Sequence, residues 1–296
     1  MELTDLLTFS TVARLGGITP AADELNTVQS NISQRIKALE VEIGTVLFER
    51  HSRGMTLTGA GRRLLPYAQR MAALTREAVL AARDDGEPKG PLSIGSMETT
   101  AAVRLPSLLA EFHRLFPAVR LTLRTATTAD LVAAVLDGAL DGAFVAGPVQ
   151  HAELSSTLAF REELVLVSAR RWTSLASLRA GTPESGPTAL VFRTGCTYRQ
   201  RLEQVFSEFG WPSAARFEFG TLDGMIGCVA ADMGVTLLPR AVVERSDQNG
   251  NISIHSLSAS QSRVDTLFIR RRSAHRNSAL DGFASGLTKA GQVIAA

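Results

Sequence analysis

The stretch from Leu3 to Gly61 constrains the fold more than any other part of this 296-residue chain. It opens with a helical apolar stripe at Leu3, Leu6, Leu7, Phe9, Val12 and Ala13, which Gly16-Gly17 ends. A second short helix follows, with Thr19 as N-cap, Pro20 at its first position, and Asp23 and Glu24 near the positive dipole end. Ala21, Ala22 and Leu25 supply its packing face, and the small alanines let a neighbouring helix approach closely. After a three-residue turn, a third helix starts near Val28 or Gln29 and reaches about Ile43, where Gly44 stops it. Ile32, Ile36, Leu39 and Ile43 recur at helical period and face the core. The opposite face carries Ser30, Ser33, Gln34 and Lys37, with Gln29 and Asn31 at the N-terminal end and Arg35 on a flank. Short polar groups on such a helix suit the major groove of double-stranded DNA, where they meet base edges and phosphates.

The next segment reads as a β-wing. Val46, Leu47 and Phe48 form one short strand, His51-Ser52-Arg53-Gly54 a turn, and Met55-Thr56-Leu57 the return strand. Arg50 and Arg53 are then placed to touch the DNA backbone or minor groove. Thr58 begins a long helix that reaches about Asp84, with Leu64, Ala68, Met71, Thr75, Ala78 and Ala82 as a small-residue seam at coiled-coil spacing. Pro66 removes one of its backbone hydrogen bonds. A helix this long beside so small a unit has little core of its own, so pairing with a second copy is the economical solution. Asp84–Pro91 is a polar linker.

Charge supports the same reading. Residues 1–90 hold 11 Lys/Arg and 11 Asp/Glu, yet between Gln29 and Arg70 seven basic residues face three acidic ones. A basic stretch that coincides with a helix-turn-helix favours phosphate contact over a merely solvated face. No apolar run approaches a membrane span, and the acidic start is not a secretory signal, so a cytoplasmic location is expected.

After Pro91, strands and helices alternate in a parallel-type α/β pattern. Strands are expected at Leu92–Gly95, Val119–Arg124, Gly142–Ala146, Leu164–Val167, Arg216–Phe219, Val235–Leu238 and Val264–Ile269. Helices are expected at Ala101–Phe116, Ala129–Asp137, Arg199–Phe209, Leu222–Asp232 and Asn277–Ala290.

The set Phe9, Ala13, Gly16, Ala21-Ala22, Leu25, Val28 to Ser33, Ile36, Leu39-Glu40, Gly44, Leu47-Phe48, Arg50, Arg53, Leu57-Thr58 and Ala60-Gly61 resembles the LysR-type transcriptional regulators. Leu136-Asp137-Gly138, Leu140-Asp141 and Gly234 to Pro239 look like marks of the same family's regulatory domain. Gly17 departs from a common Ser, and Thr27 from a frequently bulkier residue. The resemblance implies a winged helix-turn-helix over 1–58, a dimerising linker helix and linker over 59–90, and an effector domain over 91–296. That domain would have two α/β lobes like a periplasmic binding protein, lobe 1 being 91–160 plus 263–296 and lobe 2 being 161–262. Crossing strands near Thr157–Phe160 and Arg263–Thr266 would form the hinge. Members are usually homotetramers that recruit or reposition RNA polymerase when a small-molecule effector binds.

In open α/β lobes ligands gather where strands end and helices begin, and helix N-termini favour anions. Ser96-Met97-Glu98-Thr99-Thr100, Thr125-Ala126-Thr127-Thr128 and Val145-Ala146-Gly147-Pro148 satisfy this in the first lobe. Arg193-Thr194-Gly195-Cys196-Thr197-Tyr198-Arg199 and Gly220-Thr221 do so in the second. The Arg193–Arg199 loop offers two guanidinium groups, three hydroxyls and a thiol, which points to an anionic, carboxylate-bearing effector. The bland alternative is plain N-capping threonines and solvated arginines. Glu98 would oppose an anion, or would bind the amine of an amino-acid-like ligand.

Other functions are open to comparison. Cys196, in a polar Arg-flanked loop, admits a redox-sensing reading; Cys228 sits in an apolar helix and reads as core. An enzyme or a solute-binding protein could use the same two-lobed fold. The chain lacks Gly-x-Ser-x-Gly, His-Glu-x-x-His and a phosphate loop, and its five histidines show no metal spacing. No enzyme activity, metal or cofactor is therefore expected.

Overall fold

The structure is a computed structural model that describes residues 1–51, 54–212, 214–247, 250–272 and 277–294. The chain forms two compact units, one comprising Met1–Asp85 and Asp137–Ala139 and the other Gly86–Leu136 and the chain from Leu140 onward.

The first unit is helical with a β-wing. α1 (Leu3–Leu15) buries Leu6, Phe9 and Val12. Gly16 caps it in the left-handed conformation at φ 69°, which a side chain would resist. α2 (Ile18–Glu24) starts one residue after Gly17, its N-cap, and not at Thr19 as expected. Pro20 still fits because the first helical N–H groups lack helical partners anyway. Ala21 and Ala22 are buried, but Leu25 is 37% exposed and falls outside the packing face. Asn26 turns the chain at φ 48°, a conformation Asn tolerates better than most residues. α3 (Gln29–Ile43) buries Ile32, Ile36 and Leu39, whereas Ile43 at its end is exposed.

The wing pairs β1 (Phe48–His51) antiparallel with β2 (Gly54–Leu57). β1 starts later than expected because earlier groups are already engaged. The Glu40 carboxylate accepts from Leu47 N at 2.7 Å, and the Thr58 hydroxyl donates to Val46 O at 2.8 Å. Met55 N donates to Gly16 O at 2.8 Å, which ties the wing to the end of α1. α4 (Gly59–Arg83) is capped by Thr58, whose hydroxyl accepts from Gly61 N at 3.0 Å. Leu6, Phe9, Ile32, Ile36, Leu39, Phe48 and Ala68 share one core, in which burial stabilises by roughly 1.5–3 kcal/mol per large side chain.

The second unit is mixed α/β. In chain order it comprises β3 (Gly90–Ser96), α5 (Glu98–Val103), α6 (Leu105–Leu115), β4 (Val119–Thr125), α7 (Thr128–Leu136), β5 (Gly142–Ala146) and β6 (Leu154–Ala169). It continues with α8 (Leu175–Gly181), β7 (Ala189–Phe192), α9 (Thr197–Glu208), β8 (Arg216–Phe219), α10 (Leu222–Ala230) and β9 (Thr236–Pro239). It ends with α11 (Arg240–Ser246), β10 (Ile252–Ser256), α12 (Ala259–Ser262), β11 (Arg263–Arg271) and α13 (Ser278–Ile294).

β3 runs parallel to β4 and β5, and β7 parallel to β8. The expectation of a parallel-type pattern fails at β6 and β11, which are antiparallel to each other. β11 also pairs antiparallel with β5, while β9 and β10 pair antiparallel with the second half of β6. β6 thus joins both sheet regions as one 16-residue strand, where the sequence pattern shows two short ones. The apolar run is interrupted by Arg161-Glu162-Glu163, but Glu162 is buried against Arg104, so the strand continues through it. The single helix expected over Ala101–Phe116 breaks at Arg104, just ahead of Pro106, which cannot supply a backbone N–H.

Candidate DNA-reading face and effector cleft

In the first unit, the N-terminal end of α3 projects its polar face. Gln29, Ser30, Gln34 and Lys37 are exposed, and Asn31 and Ser33 are half-buried. Asn31 Nδ2 donates to Thr27 Oγ1 at 2.9 Å, so Thr27 orients that amide. Arg35 turns inward: its guanidinium bonds Asp5 Oδ1 at 3.0 Å and ties α3 to α1. Of the wing arginines, Arg50 is exposed on β1, and Arg53 lies outside the described residues. Backbone N–H groups at the start of α3 and the long polar side chains beside them can meet phosphates and base edges together.

In the second unit, a cleft forms where β3, β4, β7 and β8 end. Its cavity volume is about 60 Å³. Of the residues expected there, Met97, Glu98, Thr99, Thr127, Thr128, Arg193, Cys196, Tyr198 and Gly220 line it. Thr125 and Ala126 line it as well. Phe192 and Phe219 were not anticipated; each is the last residue of a parallel strand, and that position was the available signal.

The remaining expected residues lie elsewhere. Ser96 is fully buried and donates to Met97 O; Thr100 and Val145 are in the core. Gly147 lines a different cavity, beside Arg161, Arg201 and Asp265. Thr194 is exposed, and neither it nor Thr197 reaches the cleft wall. Arg199 is taken up by Glu203 and Glu218 at 3.3 and 3.0 Å. Thr221 is the N-cap residue of α10, but its side chain makes no cap bond.

That cap comes from the other side of the cleft. Glu98 Oε1, at the start of α5, accepts from Leu222 N at the start of α10 at 2.8 Å. A second bridge runs from Ala129 N to Gly195 O at 3.3 Å. Gly195 sits at φ 94°, and a β-carbon there would lie 2.8 Å from Thr127 Oγ1, so only glycine fits. Thr128 donates to Met97 Sδ at 3.6 Å, a weak acceptor.

Deeper in, Tyr198 and Thr99 are each 3% exposed, and Thr266 on β11 is fully buried. Their three hydroxyls cluster, the Tyr198 phenol lying beside those of Thr99 and Thr266, without well-aligned hydrogen bonds. Burial pushes the Tyr198 phenol well above its ordinary range. Burial likewise pushes the Cys196 thiol up, outweighing Arg199 nearby, so the activation expected of a sensor thiol is not built here. Among the described residues no cluster of three or more His, Cys, Asp or Glu could hold a metal. No described helix is long and apolar enough to cross a membrane.

A winged helix-turn-helix followed by a cleft-bearing α/β domain defines a two-part regulator. Residues 3–62 match the model of the bacterial regulatory helix-turn-helix proteins of the lysR family, and residues 85–292 match the LysR substrate binding domain. The chain therefore belongs to the LysR family of DNA-binding transcriptional regulators with an effector-binding domain. It is 42% identical over 283 residues to the HTH-type transcriptional regulator GltR of Bacillus subtilis (strain 168), covering 96% of this chain and 95% of GltR. It is 44% identical over 288 residues to the uncharacterized HTH-type transcriptional regulator YusT of the same strain, covering 97% and 96%. Its fold matches the crystal structure of CbnR, a LysR family transcriptional regulator, with a TM-score of 0.71 and 24% identity over 98% of this chain and 99% of CbnR.

Proposed function

We propose that the chain works as a homodimer, paired through α4, whose affinity for promoter DNA responds to a small carboxylate-bearing metabolite held in the cleft. The observation that carries this reading is a stripe on α4. Tyr67, Met71, Leu74 and Val79 are 66%, 44%, 62% and 46% exposed, with Ala78 exposed between the last two. Positions 67, 71, 74 and 78 follow coiled-coil spacing; the stripe keeps Met71 and Ala78 of the expected seam but has Tyr67 and Leu74 in place of neighbouring seam positions, because Leu64 and Ala68 pack into the core of the first unit. An apolar stripe of that length supports a second copy as its cover. Pairing would present two α3 helices to two half-sites, and further pairing would build the homotetramer usual in this family. Effector-dependent repositioning on the promoter is then the step that RNA polymerase senses.

Sedimentation and footprinting test this together. Wild type should sediment as a dimer or larger and protect two half-sites separated by whole helical turns. Leu74→Glu should give a monomer that protects at most one. Two protected half-sites from a Leu74→Glu monomer would refute pairing through α4.

A further inference from the structure

Cleft chemistry narrows the ligand beyond "carboxylate-bearing". The cleft carries one acid and one base, Glu98 and Arg193, and no ion pair joins them. Glu98 spends one oxygen on Leu222 N and keeps the other. Arg193 is exposed and lines the cleft, and its guanidinium has no ion-pair or hydrogen-bond partner among the described residues. Each therefore meets the cleft with its charge uncompensated by the other. The remaining wall is uncharged: threonine hydroxyls, Tyr198, Cys196, Met97 and two phenylalanines.

A simple anion answers only Arg193 and is repelled by Glu98; a simple cation has the converse problem. A ligand carrying both signs answers both.

We propose that the cleft binds a free α-amino acid, with its ammonium on Glu98 and its carboxylate on Arg193. The proposal rests on the cleft being the effector site.

Calorimetry on the full-length protein tests it. The probes are the free L-amino acids, each compared with its carboxamide and with the deaminated acid of the same skeleton. At least one amino acid should bind, with both relatives about tenfold or more weaker, as expected when a charge-assisted hydrogen bond is lost. Glu98→Gln keeps an acceptor for Leu222 N, so the cleft geometry survives. In it, the amino acid and its deaminated relative should differ by no more than about threefold, since the ammonium then finds no carboxylate while both carboxylates still meet Arg193. Arg193→Gln should likewise erase the preference over the carboxamide.

No binding by any amino acid overturns the proposal. Equal binding of a deaminated acid, or discrimination that survives Glu98→Gln, also overturns it and leaves the cleft as a carboxylate site. Amino-acid binding indifferent to both Glu98 and Arg193 would place the ligand elsewhere and overturn the cleft reading itself.

Discussion

Arg104 holds Glu162 through two hydrogen bonds of 2.8 Å each, although the residues lie 58 positions apart in sequence. The Glu162 side chain is only 4% exposed, that of Arg104 20%. The pair lets an acid occupy the middle of β6 and fixes the junction of α5 and α6 against that strand. Arg104→Ala would leave a buried carboxylate without its counter-ion. The expected loss is about 3 kcal/mol, the low end for broken buried pairs because Arg104 is partly solvated. Urea unfolding followed by Trp172 and Trp211, both in this unit, measures it. A loss below about 1 kcal/mol would mean that the pair is not holding the strand.

Gly61 is expected to tolerate no side chain. A β-carbon there would lie 2.3 Å from the Leu47 carbonyl oxygen and 2.8 Å from Leu57 Cδ2. The first neighbour is backbone, so α4 would have to move away from the wing. Gly61→Ala should destabilise the first unit by about 1–3 kcal/mol, despite the better helix propensity of alanine. Thermal unfolding that shows no loss would contradict the close approach.

On the DNA-reading face, the two kinds of contact should separate. Gln29→Ala should relax sequence choice at a base position, whereas Arg50→Ala should weaken all sequences about equally and reduce the salt slope by about 1. Binding selections at two salt concentrations distinguish these outcomes. Base preferences left intact by Gln29→Ala would remove Gln29 from base reading.

His255 gives the domain a pH dependence. The ring is 4% exposed, its Nε2 lies 2.7 Å from Ser168 Oγ, and burial holds its pKa below the ordinary value of 6.5. The unfolded chain therefore binds the proton more readily than the folded one. The stabilisation from this site is complete above about pH 6.5, is lost as pH falls from there toward the depressed folded value, and then levels off. His255→Gln should narrow the gap to wild type as pH drops from 7.5 to 5.5, in denaturation melts at matched ionic strength. A gap that widens on acidification would reverse the sign and exclude burial as the cause.

Local periodicity made the first unit legible. The spacing of Ile32, Ile36 and Leu39 defines α3, and Thr58 and Gly44 mark helix boundaries by their chemistry. What escaped were features decided by partners far along the chain. Arg35 reads as an exposed flank residue until Asp5 is brought beside it. Glu162 reads as a strand breaker until Arg104 neutralises it. β7 was missed because Ala189–Phe192 is a short apolar run with no period of its own. Strand-to-helix junctions point to the loops that line the cleft, but which side chain on each loop faces inward depends on the turn. Glu98 was recognised as a cleft residue, whereas its role at the start of α10, 124 residues later, belongs to tertiary structure alone.

The central claim is that the exposed N-terminal face of α3 makes this chain a sequence-specific DNA-binding regulator. Anisotropy titration of the full-length protein tests it most directly, using its own upstream DNA and a scrambled duplex of equal length, between about 50 and 200 mM salt. Affinity should fall steeply with salt for both duplexes, with a preference for the upstream DNA on the order of 10³ or more. Equal affinity for the two duplexes, or binding indifferent to salt, would contradict it.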